Sequence, residues 1–146
     1  LKVMNKKTAG GIVYKDGCVL LIKKNKKWDL PKGKIEKNHT RRETAIQEIH
    51  EETGVPKNSL EITCKLAPTK YLKIINGETI IKHTTWYAVK FHGNLDDVLI
   101  PDSHEGITKC KWVLINKLDS KMNKSFPHII YIINYYLSLM KNDLIT

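Results

Sequence analysis

The chain has 146 residues, 41% hydrophobic and 27% charged, with a formal net charge of +10. That size and balance fit one soluble globular domain spanning 1–146 and exclude a disordered or fibrous polymer. The excess of Lys and Arg (25) over Asp and Glu (15) suggests nucleic acid as the first partner to consider. The basic residues are spread along the sequence, so most read as solvated surface with an attraction for polyphosphates.

Cys18, Cys64 and Cys110 are far apart and form no C-x-x-C pair. Their spacing excludes a disulfide framework or zinc site and suits a reducing cytoplasm, with all three as small buried hydrophobes. The most apolar run, 129–140, is broken by Asn134 and too short to span a bilayer, so no membrane partner is expected. No secretory leader is legible. The chain opens on Leu1, so the native start is not legible, and Met4 is one candidate.

Two strands, 8–14 and 18–23, flank Asp16-Gly17, a pair suited to a two-residue hairpin turn. The loop WDLPKGK (28–34) follows. Thr40 and Glu43 then have the spacing of a capping box, which predicts a helix starting near Thr40, and Gly54 suits its left-handed end. At about 100° per residue, Glu48, Glu51 and Glu52 share one face with Thr44, beside an apolar face of Ala45, Ile46 and Ile49. Three crowded carboxylates repel one another unless a cation lies between them, and a hard divalent ion such as Mg²⁺ prefers oxygen ligands. The plain alternative is an amphipathic helix whose glutamates face water.

A weaker strand is predicted over 60–66. Strands 70–75 and 79–91 flank Asn76-Gly77, a second hairpin signal. In the second of these, Ile81, His83, Thr85, Tyr87, Val89 and Phe91 alternate with Lys82, Thr84, Trp86, Ala88 and Lys90. A polar loop (93–106), a last strand (109–114) and a helix from about 125–127 to 140 complete the chain. Hairpins, a helix, more strands and a final helix indicate an α/β sandwich with a mixed sheet.

The segment 28–55 resembles the Nudix box, G-x5-E-x7-R-E-U-x-E-E-x-G-U with U a bulky aliphatic residue. Gly33, Glu48, Ile49, Glu51, Glu52, Gly54 and Val55 stand at matching positions. The lead-in WDLPKGK is similar too, and the order Trp112-Val113 after an acidic loop resembles the family's second half. Two positions depart: His39 replaces the first glutamate and Gln47 the arginine. The resemblance implies an α/β/α sandwich with a loop-helix-loop motif. It also implies hydrolysis of a pyrophosphate bond in a nucleoside diphosphate derivative. Carried over residue by residue, Glu48, Glu51 and Glu52 are catalytic and bind Mg²⁺, with Mn²⁺ as a substitute. The Gly33 carbonyl adds a ligand, and Glu105 completes the site from the loop, with Asp102 and Asp96 as weaker substitutes.

Lys32 and Lys82 are candidate phosphate contacts, each with a plain surface role as the alternative. Trp28, Tyr71, Trp86 and Tyr87 are candidates to stack on a base, or core residues. The W-x-L-P-K-G lead-in favours dinucleoside polyphosphates; nucleoside triphosphates, nucleotide sugars and RNA ends stay open, the last not favoured. With both charged partners of the usual Glu–Arg pair missing, neither is left unpaired, and His39 and Gln47 are expected to replace it by a neutral hydrogen bond. A nucleotide-sensing module with weakened turnover is the alternative to an enzyme. The oligomeric state is not legible.

Overall fold

The computed structural model describes residues 2–143. β1 (Val3–Lys15) and β2 (Cys18–Lys24) turn at Asp16-Gly17, both at positive φ (48° and 74°). The segment expected to be a loop holds two short strands, β3 (Lys27–Asp29) and β4 (Lys32–Lys34). Helix α1 (Arg41–Thr53) is followed by β5 (Leu60–Lys65), β6 (Thr69–Ile75) and β7 (Glu78–Phe91). The chain closes with β8 (Ile107–Leu114), a short α2 (Leu118–Met122) absent from the sequence expectation, and α3 (Pro127–Lys141).

The eight strands form one mixed sheet. Its spine is the parallel pair β1–β7, in register from Val3↔Thr79 to Tyr14↔Lys90; the other pairings are antiparallel. Strand alternation splits the apolar residues between two faces. Ile12, Leu21, Trp86, Ala88 and Val113 pack against Ile129, Ile132 and Tyr136 of α3. Ala9, Val13, Tyr87 and Val89 pack against Ala45 and Ile49 of α1. The result is the expected α/β/α sandwich. No helix among the described residues is long and apolar enough to cross a membrane.

Helix α1 begins and ends where its sequence demands. The Thr40 hydroxyl accepts from Glu43 N–H at 3.0 Å, and the Glu43 carboxylate accepts from Thr40 N–H at 2.9 Å. Gly54 closes the helix at φ 77°, donating to His50 O at 2.9 Å. Thr40→Ala is expected to cost about 1 kcal/mol of stability, read as a lowered denaturant midpoint. An unchanged midpoint would show the box to be redundant.

Candidate active site

Backbone packing at two glycines brings the turn and the acidic helix together. β4 pairs with β1 through Ala9↔Gly33 and Gly10↔Lys32. A β-carbon on Gly10 would sit 2.3 Å from the Pro31 carbonyl oxygen, so a side chain there would push the turn off the sheet. A β-carbon on Gly33 would sit 2.1 Å from Cδ of Glu48, so the Glu48 carboxyl lies directly over the glycine. One turn further along α1, Glu52 is only 4% exposed, and its Oε1 accepts from the Lys32 N–H at 3.2 Å. The helix is thereby pinned to the turn by its chemistry-bearing face.

Burial first, and then the Glu48 charge, push Glu52 up to about 8 from 4.5, against the opposing pull of Lys32 and Lys24. Glu48 is pushed up to about 7 by burial, then by Glu51, Glu105 and Glu36. The fold therefore brings Glu105 into the field of Glu48. It does so through a short 3₁₀ turn, Ser103–Glu105, whose cap is Asp102: its Oδ1 accepts from His104 N–H at 3.1 Å. Asp102 thus positions the turn that carries Glu105. Asp96 belongs to a separate turn, donating its N–H to Asn94 Oδ1, and is not among the charges felt by Glu48 or Glu52. Glu36 was missed by sequence reasoning because no periodicity relates it to the helix.

Among the described residues no three His, Cys, Asp or Glu side chains converge tightly enough to enclose an ion. Like-charged carboxyls facing one another are expected to spread and to hold protons, as the raised values of Glu48 and Glu52 record. The donors are all oxygen, and a divalent cation among them would reverse both shifts. That donor chemistry fits Mg²⁺.

The expected substrate contacts fare unevenly. Lys32 is half-buried, and its Nζ pairs with the buried Asp29 at 3.3 Å, so its charge is partly spent inside the protein. Lys82 is half-buried, and burial followed by repulsion from Lys32, Lys73, Lys6 and Lys24 lowers its pKa. It stands in a field that would welcome an anion. Lys24, which no motif marked, acts on Glu48, Glu52 and Lys82 alike.

Trp86 cannot stack on a base. It is 0% exposed beneath α3, with its indole N–H donating to Thr69 Oγ1 at 2.8 Å. Tyr87 is buried on the opposite face. Both fail for one reason: helices cover both faces of β7. The accessible aromatics lie elsewhere. Tyr71 stacks on His128 at 4.0 Å, and Phe126 stacks on the same imidazole at 5.6 Å. They line a groove of about 580 Å³ between β6 and the start of α3. His128 is held down at about 4 by burial, then by Lys32 and Lys82, against Asp29, so the groove adjoins the lysines of the site.

The neutral bond expected between His39 and Gln47 is not among the hydrogen bonds of the described residues. Gln47 instead donates from Nε2 to Glu51 Oε1 one turn away, while His39 is exposed and its N–H bonds Glu36 O at 3.1 Å. At the arginine position the chain orients Glu51 without neutralising it.

A mixed sheet between helices, with an acidic helix laid across a glycine turn, is the Nudix architecture. Residues 4–131 match the NUDIX domain, and the chain belongs to that family. An RNA pyrophosphohydrolase of Cereibacter sphaeroides is 27% identical over 94 residues, 59% of this chain and 58% of that protein. Another, from Sphingopyxis alaskensis, is 22% identical over 112 residues, 71% of this chain and 70% of that protein. The match with the first spans less than two thirds of that relative's length. Among solved structures, a C. elegans Ap4A hydrolase binary complex has a TM-score of 0.71 at 20% identity, covering 94% of this chain and 98% of that one. A NUDIX hydrolase from Nitrosomonas europaea has a TM-score of 0.71 at 20% identity, covering 95% and 73%. At such identities the structural likeness speaks for the fold alone.

Proposed function

We propose that the chain is a Mg²⁺-dependent pyrophosphohydrolase that cleaves a nucleoside diphosphate derivative, with Mn²⁺ able to replace Mg²⁺. The observation that carries this reading is the half-buried Glu48 and the buried Glu52 against the Gly33 turn, with Glu51, Glu105 and Glu36 around them. Glu48, Glu51 and Glu52 would hold the ion, joined by the Gly33 carbonyl and Glu105. The ion, when bound, neutralises phosphate oxygens and acidifies coordinated water.

The protein's own residues do the rest. Lys82 and Lys24 draw the phosphates toward the glutamates, and Lys32 fixes the turn beneath them through Asp29 and Glu52. Tyr71, His128 and Phe126 receive the base in the adjoining groove. A water oxygen forms the new bond to phosphorus, the bridging P–O bond breaks, and one of the carboxylates beside Glu48 takes the proton. Dinucleoside polyphosphates and nucleoside triphosphates both present the base, ribose and phosphate chain that these groups fit. The three unpaired cysteines suit a cytoplasmic setting.

Tyr71→Ala is expected to raise KM roughly tenfold with little change in kcat, since a stacked base is worth about 1–3 kcal/mol. An unchanged KM would remove the groove from the substrate path. The activity itself is tested by phosphate and pyrophosphate release from a nucleotide panel with Mg²⁺ or with chelator. Release that requires Mg²⁺ supports it; tight nucleotide binding without release would instead favour a sensing module.

A further inference from the structure

The lysines that look scattered along the sequence converge on one surface in the fold. On the α3 side of the sheet, β2 and β8 place Lys23 directly opposite Lys109, with Lys111 two residues further along. Like charges facing across a strand pair are destabilising. From α2, Lys121 joins them, and repulsion from Lys111, then Lys23 and Lys109, lowers its pKa. Lys23 and Lys121 each lie 5.4 Å from the ring centre of Trp28, which they flank. The Asn25-Lys26 turn adds another charge, with Lys26 at φ 66°, where glycine is the easier residue.

Acids do not relieve this surface. Among the described residues the ion pairs are Lys32–Asp29 and His92–Glu61, and neither involves these lysines. Asp119 of α2 lines a separate small hollow with Leu118 and Ile133. Between the lysines lies a hollow of about 400 Å³, with the half-buried Trp28 in its wall and Lys124 at its edge.

The surface runs into the nucleotide groove. Lys27, next to Trp28, sits 4.7 Å over the ring of Phe126, and Phe126 stacks on His128. A dinucleoside polyphosphate carries its charge between its two nucleosides, where the glutamates lie. A strand carries a run of further phosphates beyond the nucleoside in the groove, long enough to meet several of these lysines. Paired lysines with an aromatic face suit such a strand, because phosphates meet the ammonium groups while a base meets the indole. We propose that the lysine surface around Trp28 binds the backbone of a single-stranded RNA whose 5′ polyphosphate lies on the glutamates. This rests on the reading of the site as one that cleaves nucleotide polyphosphates.

The test uses a 3′-fluorescein single-stranded RNA of about a dozen nucleotides bearing a 5′ monophosphate, with binding followed by anisotropy in EDTA. Wild-type affinity is expected to fall with salt. The variant Lys109→Gln/Lys111→Gln/Lys121→Gln should lose at least tenfold in affinity and about two units of log–log salt slope. Its kcat/KM on a 5′-triphosphorylated strand should fall in parallel, while that on a nucleoside triphosphate stays within about twofold. Equal RNA affinity in variant and wild type would overturn the proposal. So would wild-type binding to phosphatidylcholine–phosphatidylserine (3:1) vesicles but not to RNA. Anisotropy in EDTA reads binding without turnover. A wild type that hydrolyses no nucleotide would therefore overturn the proposed activity and leave the binding result to be judged alone.

Discussion

Glu52→Gln is expected to lower the maximal hydrolytic rate at least a hundredfold, about 3 kcal/mol of barrier, while making the cation-free protein more stable at alkaline pH. The amide keeps an oxygen for the Lys32 N–H but loses the charge offered to Mg²⁺. The stability effect has the opposite sign for a definite reason. Folding raises the Glu52 pKa from 4.5 to about 8, so between those values the native state binds a proton that the unfolded chain releases. The contribution is full below 4.5 and is lost as pH rises through about 8, where a buried carboxylate is left beside Glu48. Without divalent ions, wild-type midpoints should therefore decline across that window more steeply than those of the variant. The gap should be on the order of a few kcal/mol at its alkaline end and should narrow when Mg²⁺ is added. Wild-type turnover in a variant with unchanged circular dichroism would remove Glu52 from the site.

Gly33→Ala is expected to cost ten- to a hundredfold in rate, about 1.4–2.7 kcal/mol, and to raise the Mg²⁺ needed for half-maximal activity. The new methyl group would lie 2.1 Å from Glu48 Cδ, so the carboxyl must swing off the turn. The backbone itself is undemanding, since Gly33 is not among the residues at positive φ, and circular dichroism should be unchanged. Shortening the displaced side chain in Gly33→Ala/Glu48→Asp should recover part of the rate. A Mg²⁺ titration of Gly33→Ala that overlays wild type would show that Glu48 is held elsewhere during turnover.

Local chemistry was legible wherever the fold depends on it. The Thr40–Glu43 box, the Gly54 cap and the Asp16-Gly17 and Asn76-Gly77 turns lie where their residue types require them. The Asn25-Lys26 turn escaped notice because lysine is not a turn signal, although it adopts the same left-handed conformation. Helix α2 is five residues long, too short for a 3.6-residue period to register. Alternation along β7 put Trp86 and Tyr87 on opposite faces correctly, but could not say that helices cover both. The glutamates of α1 could be read because one helix carries them. Glu36, Lys24 and the Tyr71–His128 stack could not, because each reaches the site through tertiary packing. The lysine surface was hidden for the same reason, its members coming from β2, the β2–β3 turn, β8 and α2.

The central claim, that the carboxylates of α1 form a divalent-cation site, is tested most directly by Mg²⁺ titration calorimetry at pH 7 in buffers of different ionisation enthalpy. Glu48 and Glu52 carry protons in that range, with pKa values pushed up to about 7 and about 8, and Mg²⁺ must displace them. The account predicts saturable binding with release of about one proton per ion, reduced by more than half in Glu52→Gln. Binding that releases no protons, or that is unchanged in Glu52→Gln, would contradict it.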